Sequence, residues 1–300
     1  MTTKKSLHVL VYGATGSQAS PVVWKLLEKG HRPYVFTRHP EKASAMQAAG
    51  AVVVEGDMTD AARLREASKG MDAVALLVPF FNSDPGTTGR NAIDAAKDAG
   101  VPLLVYNTSG LTPPAKTGNP TIDIRIDLTN YLQASGIPAI ILQPTVYMEN
   151  WFGPYTAPYV AGQNQVAYPN PPDMRVGWIA SEDVGAFVAE AIERPELAGS
   201  SFVLSGPENL TGIALADQFS LGLGRPVRYY AMPPQEFGDI LGGIFGPEGG
   251  AAVASEYQKL WDNPTRPVMY ADMEPVLATL PVRLTTVREW VAKHASAFSQ

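Results

Sequence analysis

The sequence predicts an α/β protein, a doubly wound parallel sheet with a smaller α+β lobe toward the C-terminus. Three observations predict it. Short apolar runs alternate with segments of helical periodicity through the first half of the chain. Those runs are continuously apolar, as strands buried on both faces must be. The first of them also empties into a glycine turn that leads to a helix.

Leu7 to Tyr12 reads as the first strand and Pro21 to Lys29 as the first helix, with Val22, Leu26 and Leu27 on one face and Gly30 ending it. The pattern recurs as strand Tyr34 to Thr37, helix Pro40 to Ala49, strand Val52 to Glu55, helix Asp60 to Ser68 and strand Ala73 to Val78. Helix Gly89 to Ala99, strand Leu103 to Asn107, a helix near Ile122 to Ala134 and strand Ala139 to Gln143 follow. Gly100 and Gly136 each stand just past a helix, where a left-handed cap is needed. Trp151 to Pro172 is dense in Pro, Gly, Tyr and Asn and reads as loop-rich. Val176 to Ile179, helix Glu182 to Glu193 and strand Phe202 to Leu204 then return to the sheet. Near the end, Leu221 to Pro226 reads as a loop into an edge strand at Val227 to Tyr230, with helices at Glu236 to Ile244 and Val253 to Leu260. Gly242, Gly243, Gly246, Gly249 and Gly250 surround a lid or mark only a surface loop. The expected organisation is a dinucleotide-binding domain over residues 1–150, completed by about 176–205, and a substrate lobe from 151–175 and 206–300.

Composition narrows the function. With 45% hydrophobic and 17% charged residues the 300-residue chain is globular. A formal charge of −6 disfavours partners held by bulk electrostatics, so no nucleic acid and no membrane is expected. Cysteine is absent, which excludes disulfides, thiolate metal ligands and a cysteine nucleophile. The four histidines show no metal-ligand or triad spacing, and there is no Gly-x-Ser-x-Gly elbow, so neither a metal site nor a hydrolase is expected. No signal segment or long apolar stretch is visible, and a cytoplasmic monomer or homodimer is the expectation.

Gly13-Ala14-Thr15-Gly16-Ser17-Gln18-Ala19 follows the first strand. Gly13 permits the tight turn, Gly16 lets backbone approach a diphosphate, and Ala19 keeps helix and strand close. Thr15, Ser17 and Gln18 then stand at a helix N-terminus, whose free N–H groups favour anions. At the end of the second strand, where an NAD-selective domain places Asp or Glu, stands Arg38, backed by Lys42. A guanidinium pairs with a 2′-phosphate, so the expected cofactor is NADP, with NADPH preferred over NADH. Asp57 and Met58 after the third strand, Val78 and Pro79 after the fourth, and Asn107 after the fifth are the other expected cofactor contacts, together with Tyr147 and Asn150 after the sixth. For Asp57 an adenine contact and a plain turn-capping role stay open.

Several motifs together resemble the NmrA-like branch of the atypical short-chain dehydrogenase/reductase superfamily, which includes isoflavone-type, benzylic-ether and NADPH-dependent quinone reductases. They are Gly13 to Gln18, Thr37-Arg38-His39-Pro40, Glu55-Gly56-Asp57, Gln143 to Asn150, Ala180 to Gly185 and Thr285 to Trp290. The resemblance implies a Rossmann domain with a small C-terminal lobe, NADP binding, and either reduction of a small organic substrate or a redox-responsive binding role.

One departure shapes the chemistry. Most catalytic members of the superfamily carry Tyr-x-x-x-Lys on the helix after the fifth strand. Counting back from Gly136, the lysine position falls on Arg125, which the resemblance implies as a cofactor contact gripping the nicotinamide ribose, and the tyrosine position on Thr121. Arginine stays protonated and cannot shuttle a proton, and threonine is a far poorer acid than tyrosine. The expected reaction is therefore hydride transfer from NADPH to a small aromatic, quinone-like or conjugated carbonyl acceptor whose reduced anion needs little help. Tyr106, Asn107, Ser109, Tyr147 and Asn150 are candidate hydrogen-bond donors, because ligands sit beyond strand C-termini. Phe80, Phe81, Trp151, Phe152, Tyr155 and Tyr159 are the expected aromatic wall for a flat substrate. The alternative is a non-catalytic NADP-binding sensor acting through protein partners.

Overall fold

The computed structural model describes residues 5–79, 84–263, 265 and 267–299. The chain begins with β1 (His8–Tyr12), α1 (Ser20–Glu28), β2 (Arg32–Thr37), α2 (Ser44–Ala48), β3 (Val52–Glu55) and α3 (Ala61–Ser68). Next come β4 (Ala73–Leu77), α4 (Pro85–Asp98), β5 (Leu104–Asn107), α5 (Pro120–Ser135) and β6 (Ala139–Pro144). The middle of the chain holds β7 (Val146–Tyr147), α6 (Ala157–Gln163), β8 (Gln165–Tyr168), β9 (Trp178–Ile179), α7 (Ser181–Ile192) and β10 (Ser201–Leu204). The remainder holds α8 (Gly212–Leu223), β11 (Arg228–Ala231), α9 (Pro234–Phe245), α10 (Pro247–Asp262), α11 (Glu274–Thr279) and α12 (Val287–Lys293).

These elements form two compact units. The first comprises Met1–Pro144, Ser181–Leu204 and Glu274–Val282. Its seven strands are all parallel, in the order β10-β6-β5-β4-β1-β2-β3, so the fold is a Rossmann-type doubly wound sheet. The order reverses between β1 and β4, which opens the crevice where such sheets bind ligands. Leu10, Tyr12, Leu76, Leu104 and Tyr106 form one fully buried face of that sheet, packed against Ile93 of α4 and against α3 and α5. Each such side chain contributes about 1.5–3 kcal/mol by leaving water.

On the other face α7 packs against α1 at both ends. Gly185 lies so close to Pro21 that a Cβ there would fall 2.8 Å from the proline carbonyl carbon. At the far end Lys29 bridges Glu190 and Glu193, and His31 Nε2 lies 2.7 Å from Glu193. His31 Nδ1 accepts the Leu7 amide at 3.2 Å, so Nε2 is the nitrogen that donates to Glu193.

The second unit comprises Thr145–Ala180, Ser205–Met273 and Arg283–Gln300. It is built on two short parallel pairs, β8 with β11 and β7 with β9. Its core is aromatic: Trp151 lies 4.7 Å from Trp178, 4.9 Å from Phe219 and 5.4 Å from Trp290, ring centre to ring centre.

Several sequence expectations are corrected here. Residues 151–172 are not predominantly loop, because α6 and β8 form there, with a 3-10 turn at Met148–Phe152 leading in. Pro158 at the start of α6 and left-handed Asn164 at its end punctuate that helix, and Pro and Asn were the residues that had suggested irregular chain. Leu221 to Leu223 are the last turn of α8, ended by left-handed Gly224. The glycines read as a lid belong to a helical hairpin: Gly242 and Gly243 lie in α9, Gly249 and Gly250 in α10, and Gly246 joins the two helices. A Cβ at Gly238 would sit 2.6 Å from Ala254 Cβ, so small residues there permit close helix contact rather than a hinge. The segment 40–49 splits into a 3-10 turn and α2, and α4 starts at Pro85 because Asp84 caps it, accepting the Thr87 amide at 2.9 Å.

Candidate functional site

Parallel register brings the expected residues to one end of the sheet. Tyr12 pairs with Phe36, Phe36 with Val54 and Leu77 with Asn107, so the chain leaves β1, β2, β3, β4 and β5 at neighbouring points. Gly13 to Gln18, Arg38, Asp57 with Met58, Val78 with Pro79, and Thr108 with Ser109 follow those strand ends, and Asn107 closes β5.

Gly13 adopts φ +70°, a conformation that any side chain would strain, and its carbonyl accepts the Gly16 amide at 2.9 Å. Ser20 N–H already donates to Gly16 O at 2.9 Å, so the helical turn begins at Gly16, ahead of α1 itself. A Cβ on Gly16 would stand 3.2 Å from the Gly13 carbonyl oxygen. The turn is thus bare backbone running into the positive end of a nine-residue helix. Thr15 lies 3.4 Å from Thr37, hydroxyl to hydroxyl, linking the turn to the end of β2.

Arg38 is mostly exposed and leans on Asp57 at 3.6 Å, a weak pair at such exposure. Asp57 is engaged chiefly by Thr59, whose amide and hydroxyl both donate to it at 2.8 Å. Those two bonds, with a smaller contribution from Arg38, hold its carboxyl below the usual range. Asp57 is therefore a turn-capping residue with its carboxylate half-exposed, while Asp60 caps α3. Gly56 is required beside it, since a Cβ would fall 2.5 Å from the Phe36 ring. Met58 packs half-buried against the core, Val78 is buried and Pro79 exposed. Phe80 and Phe81 lie outside the described residues.

The turn after β5 is the most constrained part of the site. Ser109 has φ +58°, a left-handed conformation that costs a residue with a Cβ about 1–2 kcal/mol. Asn107 Oδ1 accepts its amide at 2.9 Å, and its hydroxyl donates to Gln18 Oε1 at 2.7 Å, which ties it to the glycine turn. The Thr108 hydroxyl donates to Gly110 O at 2.6 Å, and Gln143 Oε1 accepts the Thr112 amide at 2.9 Å. Thr108, Gly110 and Gln143 were not anticipated. A polar residue at the C-terminal end of a buried strand was the available signal for Gln143, and the Thr-Ser-Gly run for the other two.

Arg125 projects from α5 to Gly110. Tyr106 is wholly buried; burial pushes its phenol well up, and the nearby Arg125 charge only partly opposes that. Tyr106 is thereby corrected from candidate donor to core residue. Thr121 is exposed in the first turn of α5, its amide donating to Asn119 Oδ1 at 2.9 Å.

The loop before α5 is pinned by Asp123, which accepts from Thr117 N at 2.7 Å and Gly118 N at 3.1 Å. The Thr117 amide bond above all holds the Asp123 carboxyl below its usual value. A depressed carboxylate stabilises the fold above its unfolded pKa, about 3.9 for aspartate, and that contribution is lost as pH falls through the folded value. Amide exchange at Thr117 and Gly118 is therefore expected to lose protection below about pH 4 in the native chain. In Asp123→Ala, which removes the acceptor, both amides should already be unprotected at neutral pH.

The remaining candidates belong to the second unit. Tyr147 is buried on β7, and Asn150 Nδ2 donates to Tyr168 Oη at 3.4 Å. Trp151 is fully buried at the centre of the aromatic core, which places it in packing rather than on a substrate wall. Phe152, 41% exposed, rests on Trp290 at 4.9 Å and His294 at 5.4 Å. Tyr155 packs on Phe237 at 4.6 Å, and Tyr159 Oη donates to Glu236 at 2.7 Å. Among the described residues no group of three or more His, Asp or Glu is placed to hold a metal ion, and no helix is long and apolar enough to cross a membrane.

Comparison with known proteins agrees with this fold. An NAD(P)H azoreductase of Xenophilus azovorans is 29% identical over 97% of this chain and 99% of its own. The NADPH-dependent quinone oxidoreductase QOR2 of Escherichia coli, solved with NADPH, superposes with TM-score 0.77 at 23% identity, over 96% of this chain and all of its own. NmrA, a negative transcriptional regulator solved with NADP, superposes with TM-score 0.76 at 18% identity over 97% and 95%. The NmrA-like family model matches residues 4–291, and the chain belongs to the NmrA-like family.

Proposed function

We propose that this chain, an NAD(P)H-dependent oxidoreductase, prefers NADPH and reduces a small quinone-like, aromatic or conjugated carbonyl acceptor. The observation that carries the reading is the bare turn Gly13–Gly16 opening a helix beside an exposed arginine at the end of β2. The residues fit a dinucleotide. Gly13 to Gln18 would hold the diphosphate, Arg38 the 2′-phosphate, and Asp57 and Met58 the adenine end, with Val78, Pro79 and Asn107 continuing along the strand ends. Bound there, the reduced nicotinamide supplies a hydride.

The protein's own acid–base contribution is small. Arg125 keeps its proton at any working pH, the Thr121 hydroxyl is a weak acid, and Tyr106 is sealed in the core. Acceptors whose reduced form is a phenolate-like anion, of pKa about 10, take their proton from water and need no such acid. The quinone reductase and azoreductase among the relatives support that substrate class. A turnover screen of NADPH against quinones, azo compounds, enones and simple aldehydes tests it, with oxidation expected for the first groups and not for the aldehydes. NADPH binding without turnover of any acceptor would favour the sensor reading.

Arg38→Asp is expected to weaken NADPH binding by at least about 1 kcal/mol, roughly fivefold, while sparing NADH. Titration of both cofactors against both proteins checks it, and equal loss for the two would reject the assignment of Arg38.

A further inference from the structure

The guanidinium of Arg125 packs against Gly110, Nη1 nearest. A Cβ at that glycine would fall 2.9 Å from Cζ and 3.4 Å from Nη2, and closer still to Nη1. No side chain fits at position 110 while the arginine stays in place. The glycine directly follows Ser109, the strained residue whose hydroxyl reaches Gln18 across 91 residues of sequence. Gly110 is itself buried, and its carbonyl is held by Thr108 at 2.6 Å, so pressure on it passes to its neighbour rather than into solvent.

We propose that Arg125 is a positioning residue that acts through Gly110: its planar head seats the β5–α5 turn so that Ser109 meets Gln18, which joins α5 to the dinucleotide cradle. This rests on the cofactor reading above. It gives the helix position usually filled by lysine a different task, one of shape. A lysine carries the same charge as a compact ammonium and lacks the forked head that fills the space beside the glycine. The Arg125 Nε is itself buried, so the head is set inward against Gly110.

The test is a pair of double-mutant cycles read by NADPH affinity, with the melting temperature of each variant recorded alongside. Gly110→Ala is expected to weaken NADPH binding at least about fivefold in the native chain and less than about twofold once Arg125 is Ala. Arg125→Ala is expected to weaken binding in the native chain and to change it less than about twofold in a Gln18→Ala background, where the link is already missing. The second cycle stands even where Gly110→Ala fails to fold. Arg125→Lys should behave as Arg125→Ala does. Additive effects in both cycles, or full rescue by lysine, would overturn the proposal while native NADPH binding persists. A native chain that binds no NADPH would overturn the dinucleotide reading instead.

Discussion

Trp151→Ala is expected to lower the unfolding free energy by about 3–5 kcal/mol, the range for truncating a large aromatic in a packed core. The side chain has no exposed surface and touches three other aromatic rings within 5.4 Å. Removing it leaves a cavity among rings that are themselves anchored, with Trp178 held in β9 and Phe219 in α8, so collapse into the space is limited. Urea titration followed by circular dichroism measures the loss. A change below about 1 kcal/mol would mean that Trp151 is not core and would return it to a substrate-facing role.

Gly185→Ala should cost about 1–3 kcal/mol by overpacking and weaken cofactor binding as well. The new methyl would meet Pro21 Cβ at 2.7 Å, the Pro21 carbonyl carbon at 2.8 Å and Val22 N at 3.0 Å, and two of those three atoms are backbone. Backbone at the start of α1 cannot yield without moving the helix end that faces the Gly13–Gly16 turn. At the other end of the pair, Lys29 and His31 hold α7 through Glu190 and Glu193, so the strain has no easy exit. Melting temperature and NADPH titration of the same variant read the two effects. Loss of stability with unchanged affinity would show that the glycine turn does not depend on the seating of α1.

How much of this was legible depended on whether the local pattern decided the structure. The first unit's strands are continuous apolar runs closed by turns, and their ends fell within a residue or two of the expected places because burial on both faces leaves little choice. Gly13, Arg38 and Ser109 were legible because each follows a strand end. Trp151 was misplaced for the opposite reason: an aromatic in a Pro- and Gly-rich stretch looks the same whether it faces a ligand or other aromatics, and only tertiary packing separates the cases. The glycines of α9 and α10 were misread likewise, since close helix contact and flexibility both call for a small residue. Gly110 could not be found at all without seeing which side chain lies against it.

The seventh strand carries a consequence for how the protein is made. β10 pairs with β6 along Ile141 to Pro144, yet 56 residues separate the end of one from the start of the other, and part of that stretch builds the second unit. During synthesis the outer rim of β6 therefore waits bare, an apolar edge open to other chains. A fragment cut after residue 150 would keep that rim exposed for good, so expressing the nucleotide-binding half alone should yield aggregates where the full chain stays dispersed.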